Sequence, residues 1–238
     1  DNVYTVIVTV TDNGSLTDIQ TITVTVTDVN EAPVITSNSG GSTASISMGE
    51  NISTVTTITS TEEDANSILV YSISGSDVDD FIIDSSSGVL SFSSTPNYES
   101  PTDSDANNEY TVIVTVTDNT SLSTTQTITV TVTEVNEAPV ITSNSGGSAA
   151  SISYAENSTS SVTTVTSTDV DASSTATYSI SGEDADDFII DSSTGILTFS
   201  SSPNFELPTD SNTDNVYTVI VTVTDNGSLT DIQTITVT

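Results

Sequence analysis

The sequence contains no lysine, arginine, histidine, cysteine or tryptophan in 238 residues. Its 33 aspartates and glutamates therefore give a formal net charge of -33 at pH 7. Binding to nucleic acids depends on Lys and Arg contacts to phosphate, so this charge excludes DNA and RNA as partners. Without cysteine there are no disulfides, and a secreted chain of this kind needs either adequate cores or bound metal for its stability.

Long hydrophobic runs are also missing, since none approaches the ~20 apolar residues that cross a bilayer. Direct membrane insertion is therefore not expected, and no signal peptide is visible at Asp1. High net charge with 34% apolar content is typical of disordered chains as well. However, the apolar residues are mostly Val, Ile, Leu, Tyr and Phe in alternation with Thr, which is typical of half-buried strands and favours a folded chain.

Internal repetition defines the organisation of the chain. Tyr110–Asp118 returns as Tyr217–Asp225, and residues 1–25 recur without change as residues 214–238. The second, longer period indicates an array that alternates two repeat types. The predicted parts are the C-terminal strand pair of a preceding repeat plus linker at residues 1–29, a complete repeat at residues 30–135, and a complete repeat at residues 136–238.

Each repeat contains about seven short runs with the two-residue period of a β-strand. Tyr4, Val6 and Val8 point to one face of such a run, while Thr5 and Ile7 point to the other. Helix signals are missing throughout. Seven strands in ~100 residues, separated by turn-forming residues, predict an all-β chain of tandem seven-stranded Greek-key β-sandwich repeats of the immunoglobulin-like type.

The first strand pair, which extends to about Thr27, is too small to be stable alone and presents an apolar face. Two explanations are open at the level of sequence. The pair either supplies missing strands to a neighbouring chain in a head-to-tail assembly, or continues its own upstream repeat.

Five acidic motifs occur in the same order in both complete repeats. They are a linker (residues 28–33 and 134–139), a Glu-Asn turn (50–51 and 156–157), an acidic triplet (62–64 and 169–171), an Asn-aromatic-Glu triplet (97–99 and 204–206), and a late aspartate (Asp118 and Asp225). Together these motifs resemble those of the cadherin family, in the form of bacterial cadherin-like tandem repeats. The resemblance implies that the bottom of one repeat, the linker and the top of the next converge on calcium ions.

The resemblance also implies which residues are the calcium ligands. For the complete junction they are Glu50, Asn97, Glu99, Glu134, Asn136, Glu137, Asp169, Asp171 and Asp225. The corresponding residues of the other repeat ends are Asp28, Asn30, Glu31, Glu62, Asp64, Asp118, Glu156, Asn204 and Glu206. Some positions depart from the family pattern, because Glu31 and Glu137 stand for a linker Asp and Ala32 and Ala138 stand for its second Asn.

The chemistry of the side chains favours calcium independently of the resemblance. Ca²⁺ takes 6 to 8 oxygen ligands, which clustered carboxylates and amide carbonyls supply. Zinc would seek Cys and His, which the chain lacks, and Mg²⁺ prefers a near-octahedral shell that retains several waters.

Several other acidic residues are predicted to have structural roles only. Solvated loops are expected at Asp77, Asp79, Asp80, Glu183, Asp184, Asp186 and Asp187. Asp84 and Asp191 are expected to form Asx turns. A further polar loop, in which auxiliary metal binding is an open alternative, contains Asp103, Asp105, Asp210 and Asp214.

We predict from these patterns a calcium-rigidified extracellular spacer or stalk of a bacterial surface adhesin or filament. Its partners would be the neighbouring repeats of the same chain, and other copies of itself in a filament or cell-cell contact. The alternative is a calcium-dependent carbohydrate- or protein-binding module, although most of the seven Tyr and five Phe fall at strand positions expected in the core. We do not expect an enzyme, because carboxylate pairs are the only catalytic chemistry open to this chain and they recur at every junction.

Overall fold

The computed structural model describes residues 2–238, so Asp1, the first residue of the predicted strand pair, lies outside the described residues. The chain divides into two compact units, Asp1–Thr133 and Glu134–Thr238. The first unit contains an N-terminal hairpin and a β-sandwich, which we call the first repeat. The second unit is a β-sandwich that we call the second repeat.

The N-terminal hairpin consists of two antiparallel strands, β1 (Val3–Thr11) and β2 (Thr17–Thr25). The strands of the first repeat are β3 (Val34–Ile35), β4 (Thr43–Gly49), β5 (Thr54–Thr57), β6 (Ser60–Thr61), β7 (Val70–Ser74), β8 (Phe81–Ile83), β9 (Val89–Phe92), β10 (Glu109–Thr117) and β11 (Ser123–Thr133). Those of the second repeat are β12 (Val140–Ile141), β13 (Ala149–Ile152), β14 (Thr163–Thr164), β15 (Ser167–Thr168), β16 (Thr177–Ser181), β17 (Phe188–Ile190), β18 (Ile196–Phe199), β19 (Tyr217–Thr224) and β20 (Thr230–Val237).

Both repeats have the same sheet topology. In the first repeat a four-stranded sheet has the order β4-β11-β10-β7, with β4 parallel to β11, and it faces a three-stranded sheet of order β5-β9-β8. The corresponding sheets of the second repeat are β13-β20-β19-β16 and β14-β18-β17. A short additional pair, β3-β6 or β12-β15, completes each repeat. The predicted all-β tandem sandwich is thereby confirmed.

Alternation of apolar residues and threonine along the long strands produces the cores. In β10 the side chains of Val112, Val114 and Val116 are fully buried, whereas Ile113 and Thr115 between them are only half-buried. Aromatic rings fill the space between the sheets, since Tyr110 meets Phe92 edge-on at a centroid distance of 5.0 Å. The second repeat reproduces this contact between its own equivalent rings. Each repeat therefore has a separate hydrophobic core.

Some short elements were not predicted. About seven strands per repeat and no helix were expected, whereas each repeat has two additional short strands and one turn of 3₁₀ helix, at Val78–Asp80 and Ala185–Asp187. Such elements are too short to show a hydrophobic period. Within residues 2–238 no helix has the length and apolar character needed to cross a membrane.

Candidate functional site

We call the end of each repeat that carries the Glu-Asn turn and the Asn-aromatic-Glu triplet its bottom. The bottom of the first repeat brings two predicted ligands together. Glu50 follows β4 directly, and its N–H donates to the carbonyl of Thr133 at the end of β11, 3.0 Å away. Its side chain is 1% exposed, and Oε2 accepts the N–H of Tyr98 at 2.8 Å. This bond ties the Glu-Asn turn to the Asn-aromatic-Glu triplet, so carboxylate oxygens of Glu50 and Glu99 lie within 4.8 Å of each other.

Asn97 has a different role from the two glutamates in this cluster. Its Oδ1 accepts the N–H of Ser100 at 2.7 Å, which closes the turn that carries Glu99. The structure therefore places Asn97 as a support for the turn.

The bottom of the second repeat has the same framework. Glu156 Oε2 accepts the N–H of Phe205 at 3.0 Å, and Asn204 Oδ1 accepts the N–H of Glu206 at 2.9 Å. In contrast to Glu50, Glu156 is exposed. The equivalent turns thus form in both repeats, although the carboxylates differ in their burial.

We call the end of each repeat that carries the acidic triplet and the late aspartate its top. At the top of the second repeat the linker contacts the late aspartate. Asn136 Nδ2 donates to Asp225 Oδ2 at 2.8 Å and to the carbonyl of Glu137 at 3.2 Å. A Cβ at position 227 would collide with the Asn136 amide, so Gly227 makes room for it. The turn after β19 is therefore shaped to receive the linker.

The acidic triplet of the second repeat lies next to the same linker. Asp171 Oδ2 accepts the N–H of Glu137 at 3.0 Å, and Asp169 Oδ1 accepts the N–H of Asp171 at 3.1 Å. Ser174 Oγ donates to Asp169 Oδ2 at 2.6 Å. Asp171 is 7% exposed, yet its Oδ1 is buried without any hydrogen-bond donor. A buried carboxylate oxygen without a donor is costly unless a cation binds it.

The top of the first repeat repeats this arrangement with substitutions. Asn30 Nδ2 donates to Asp118 Oδ2 at 2.7 Å, and the N–H of Glu31 donates to Asp64 Oδ2 at 2.9 Å. Here Glu62 replaces the first Asp of the triplet, and its Oε2 is buried without a hydrogen-bond donor. Both tops therefore contain an unsatisfied carboxylate oxygen beside the linker.

Crowding of negative charge is visible in the pKa values at these tops. Desolvation raises the pKa of Glu31, and the carboxylates of Asp64 and Asp28 raise it further. By contrast, the Asn30 amide lowers the pKa of Asp118. Desolvation opposes the ionisation of Asp225, but hydrogen bonds from Asn136 and backbone N–H groups nevertheless lower its pKa. The two late aspartates are thus held as carboxylates.

The remaining predicted ligands are at the surface. Asp28, Glu134 and Glu206 are exposed. Sequence reasoning missed two residues that shape the sites, Ser174 and Gly227, because a serine or glycine in a polar turn carries no distinctive signal. All of the side chains that the structure brings together offer oxygen, which fits Ca²⁺ rather than a metal that seeks nitrogen or sulfur.

The prediction of a solvated loop was wrong for Asp77 and Asp184, which are buried. Asp77 accepts backbone N–H groups of Thr111 at 2.7 Å and Ser104 at 2.9 Å, and Asp184 has the equivalent bonds. Although desolvation acts in the opposite direction, these bonds lower the pKa of Asp77. Asp103 and Asp210 of the neighbouring polar loop are buried in the same way.

The Asx turns predicted at Asp84 and Asp191 are confirmed. Oδ1 of each aspartate accepts two backbone N–H groups, from residues two and three positions further along the chain. The Ser193 hydroxyl and the N–H of Thr194 lower the pKa of Asp191 to about 2.

Comparison with known proteins identifies the family of the two repeats. The sequence model of the cadherin domain matches residues 43–133 and 150–238. The chain belongs to the cadherin domain family. It contains two tandem cadherin domains, modules typical of calcium-dependent adhesion and of extracellular rod segments. Cadherin domains are non-catalytic adhesion modules, and the prediction that the chain is not an enzyme is therefore confirmed.

Solved structures show the same fold at low sequence identity. A four-domain fragment of PcdhgB3 (EC1-4) is similar with a TM-score of 0.58 and 21% identity, over 99% of this chain and 56% of that one. The protocadherin gammaB7 EC3-6 cis-dimer structure gives a TM-score of 0.56 and 21% identity, over 99% and 58%. Protocadherin Gamma B2 extracellular cadherin domains 3-6 gives 0.52 and 18%, over 99% and 58%. The chain thus spans only part of each relative, and no curated protein sequence matches it.

Proposed function

We propose that this chain is a calcium-rigidified extracellular spacer of a bacterial surface adhesin or filament, with Ca²⁺ bound at the inter-repeat junctions. The observation that carries this proposal is the unsatisfied Oδ1 of Asp171, buried beside the linker residue Glu137. In the first repeat the unsatisfied oxygen is Glu62 Oε2, which belongs to the first position of the acidic triplet, whereas Asp171 is at the third position. An unsatisfied carboxylate oxygen of the acidic triplet at both tops supports a cation site in each repeat.

Chain connectivity supports the participation of the bottom of the first repeat. The backbone N–H of Glu50 donates to the carbonyl of Thr133. Asn136 follows Thr133 by only three residues, and its side-chain amide donates to Asp225. Three residues span at most about 11 Å even when fully extended. We therefore propose that Glu50 and Glu99 share the ions with the linker and with the top of the second repeat.

Electrostatics explains why calcium would change the mechanics. The described residues contain no side-chain cation, so carboxylates brought together at a junction repel each other until an ion binds. Binding to the folded state alone adds about 1.4 kcal/mol per site at tenfold excess of ion over Kd. The linker would then be stiff in calcium and a flexible hinge without it.

The spacer proposal also fits an extracellular location. Extracellular calcium modules bind with Kd values of about 10⁻⁴ to 10⁻³ M, which matches the calcium level outside cells. The buried positions of Tyr71, Phe81, Phe92 and Tyr110 leave few aromatic side chains for a carbohydrate platform. Neighbouring repeats of the same chain, and other copies of it in a filament, are the partners that this function requires.

Small-angle scattering of the chain in EDTA and in about 10 mM calcium, roughly tenfold above the expected Kd, tests the proposal. We expect the maximum dimension to increase and the flexibility to decrease in calcium. Magnesium at the same concentration controls for charge screening. Asp171→Asn should reduce the response, whereas Asp186→Asn, the same change of charge at an exposed position of the 3₁₀ turn, should leave it intact. Identical scattering curves with and without calcium would contradict the proposal.

A further inference from the structure

The second repeat is one residue longer than the first in the segment that follows its Glu-Asn turn. In the second repeat residues 158–161 separate Asn157 from Val162. In the first repeat only three residues separate Asn51 from the equivalent Val55. The strand that follows is shorter in the second repeat, since β14 has two residues and β5 has four. The additional residue therefore changes how this segment meets the sheet.

In the first repeat the segment covers the end of strand β9. The carbonyl of Ser53 accepts the N–H of Phe92 at 2.8 Å, and Phe92 is 3% exposed. Among the described residues of the second repeat, no backbone carbonyl of the longer segment bonds to the equivalent Phe199, which is only half-buried. Instead Val162, which follows the segment, donates its N–H to the carbonyl of Leu197 at 2.8 Å. The longer segment therefore leaves the end of β18 uncovered.

A cavity of about 290 Å³ lies between the longer segment and the end of β18. We call it the insertion cavity, and all of its lining residues fall within residues 154–202. Two aromatic residues line it, Tyr154 and Phe199. The other lining residues all have hydroxyl side chains, and they are Ser158, Thr159, Ser160, Ser200, Ser201 and Ser202.

Tyr154 has no aromatic counterpart in the first repeat, where Met48 occupies the equivalent position. The centroid of its ring lies 5.2 Å from that of Phe199, with an angle of 45° between the ring planes. The Tyr154 hydroxyl donates to the carbonyl of Ser160 at 2.6 Å, so this residue connects the longer segment to the core. The ring is therefore held in place before any ligand binds, which lowers the entropic cost of binding.

The chemistry of the lining favours a neutral ligand with many hydroxyl groups. No carboxylate lines the insertion cavity, although the chain has 33 acidic residues, and its net charge disfavours an anionic ligand. Hydroxyl side chains both donate and accept hydrogen bonds, and those of Thr159, Ser201 and Ser202 belong to exposed residues that a ligand can reach. The aromatic rings offer an apolar surface to the C–H groups of the same ligand.

The size of the insertion cavity limits the ligand further. Sites for small molecules have volumes of roughly 300 to 1,000 Å³, and this cavity is at the lower end of that range. It therefore has room for about one sugar ring.

We propose that the insertion cavity binds a neutral monosaccharide unit. A C–H face of the sugar ring packs on Tyr154 and Phe199, and the sugar hydroxyls bond to the serine and threonine side chains. The proposal goes beyond the spacer function, because no predicted calcium ligand lines the cavity. Such a site gives the second repeat a binding role that the first repeat, with Met48 and a shorter segment, does not share.

Saturation-transfer NMR on the full chain tests the proposal with glucose, galactose, mannose and N-acetylglucosamine, each also as its methyl glycoside. We expect at least one of these sugars to bind with a Kd on the order of 1 mM, which is typical of a ligand of this size. Binding of the methyl glycoside, which has the anomeric substituent of a glycan residue, assigns the ligand to a glycan. Binding of the free sugar alone assigns it to a free monosaccharide. Absence of saturation transfer for every sugar would refute the proposal.

Matched variants locate the site. Tyr154→Met introduces the residue of the first repeat, keeps an apolar side chain against the core, and should weaken binding at least about tenfold. Met48→Tyr places the same ring in the first repeat without the additional residue and should leave binding unchanged. Ser201→Ala should weaken binding about threefold, whereas Ser94→Ala, the equivalent change in the first repeat, should have no effect. Undiminished binding by Tyr154→Met would overturn the proposal.

Calcium separates this proposal from the spacer function. Because no carboxylate lines the insertion cavity, the sugar should bind equally in EDTA and in calcium, whereas the scattering response requires the ion. Binding in calcium alone would assign the sugar to an ion site and would contradict its location in the insertion cavity. The chain can therefore fail either test while it passes the other.

Discussion

The N-terminal hairpin and the last strand pair of the second repeat show how much of a structure resides in a local sequence. With identical residues they form the same strands in the same register. Only the second copy is buried, because only there do β13, β16 and the opposite sheet supply the other half of a core. The period of two therefore encodes the strand pair, while burial depends on the rest of the repeat.

The aspartate in the turn of each strand pair, Asp12 or Asp225, shows which contacts depend on the local sequence and which depend on the linker. Asp12 Oδ1 accepts the N–H groups of Gly14 at 2.8 Å and Leu16 at 2.9 Å, so it closes its own turn. Its counterpart Asp225 binds Leu229 in the same way at 2.8 Å, and its second oxygen also receives the Asn136 amide. The turn is thus a property of the sequence, whereas the site requires a linker.

The largest difference in unfolding free energy between the two copies is expected for substitution of Tyr217 and of its counterpart Tyr4. Tyr217→Ala should destabilise the second repeat by about 4 kcal/mol, because it removes a buried ring from the contacts with Phe188 and Phe199. Tyr4→Ala, the same change in the exposed hairpin, should alter the unfolding free energy of either repeat by less than about 0.5 kcal/mol. Urea unfolding followed by circular dichroism measures both. Equal effects of the two substitutions would mean that the hairpin is buried in solution.

A smaller difference in unfolding free energy is expected for substitution of Gln233 and of its counterpart Gln20. Gln233 is fully buried, and its side chain accepts from Asn144 Nδ2 at 3.0 Å and donates to the carbonyl of Gly147 at 3.0 Å. Gln233→Ala leaves these groups unsatisfied and should cost about 2 kcal/mol in urea unfolding. Gln20→Ala in the hairpin should have no measurable effect on either repeat. A loss in the second repeat below about 0.5 kcal/mol would indicate that water replaces the amide.

These comparisons also explain where sequence reasoning succeeded. Strand existence and the inward face could be predicted, because alternation in runs such as Tyr110–Asp118 is a local signal that the fold respects. The burial of Asp77 could not, because its donors Ser104 and Thr111 lie 27 and 34 residues away and meet it only when the loop before β10 closes. An aspartate in a polar loop has the same local pattern whether it is solvated or buried.

The candidate ion sites were partly predictable for a related reason. Glu50 and Glu99 lie far apart in sequence, and only the ordered set of motifs suggested that they meet. The sequence also gave no sign that Asn97 closes its own turn or that Ser174 fixes Asp169, because both depend on side-chain orientation. The ligand set as a whole therefore stays a prediction.

Calcium affinity should distinguish the aspartates of the two copies. We expect Asp225→Asn to weaken calcium binding at the top of the second repeat about tenfold, equivalent to about 1.4 kcal/mol, because it removes the charge of a predicted ligand beside Asn136. Asp12→Asn changes the same residue of the same sequence and should leave the affinity unchanged. Isothermal titration calorimetry of both variants measures this difference. Equal affinities in the two variants would remove Asp225 from the ligand set.

The smallest effect is expected at the aspartate near the start of the second strand of each pair. Asp231 Oδ2 accepts the N–H of the buried Ile141 at 2.8 Å and so ties β20 to β12, whereas its counterpart Asp18 bonds the N–H of Ile19, its own neighbour. Asp231→Ala should cost the second repeat about 1 kcal/mol, because the N–H of Ile141 loses its acceptor. Asp18→Ala should cost nothing measurable in either repeat. Hydrogen exchange at Ile141 is the most direct measurement, since unchanged protection in Asp231→Ala would show that β12 does not depend on this bond.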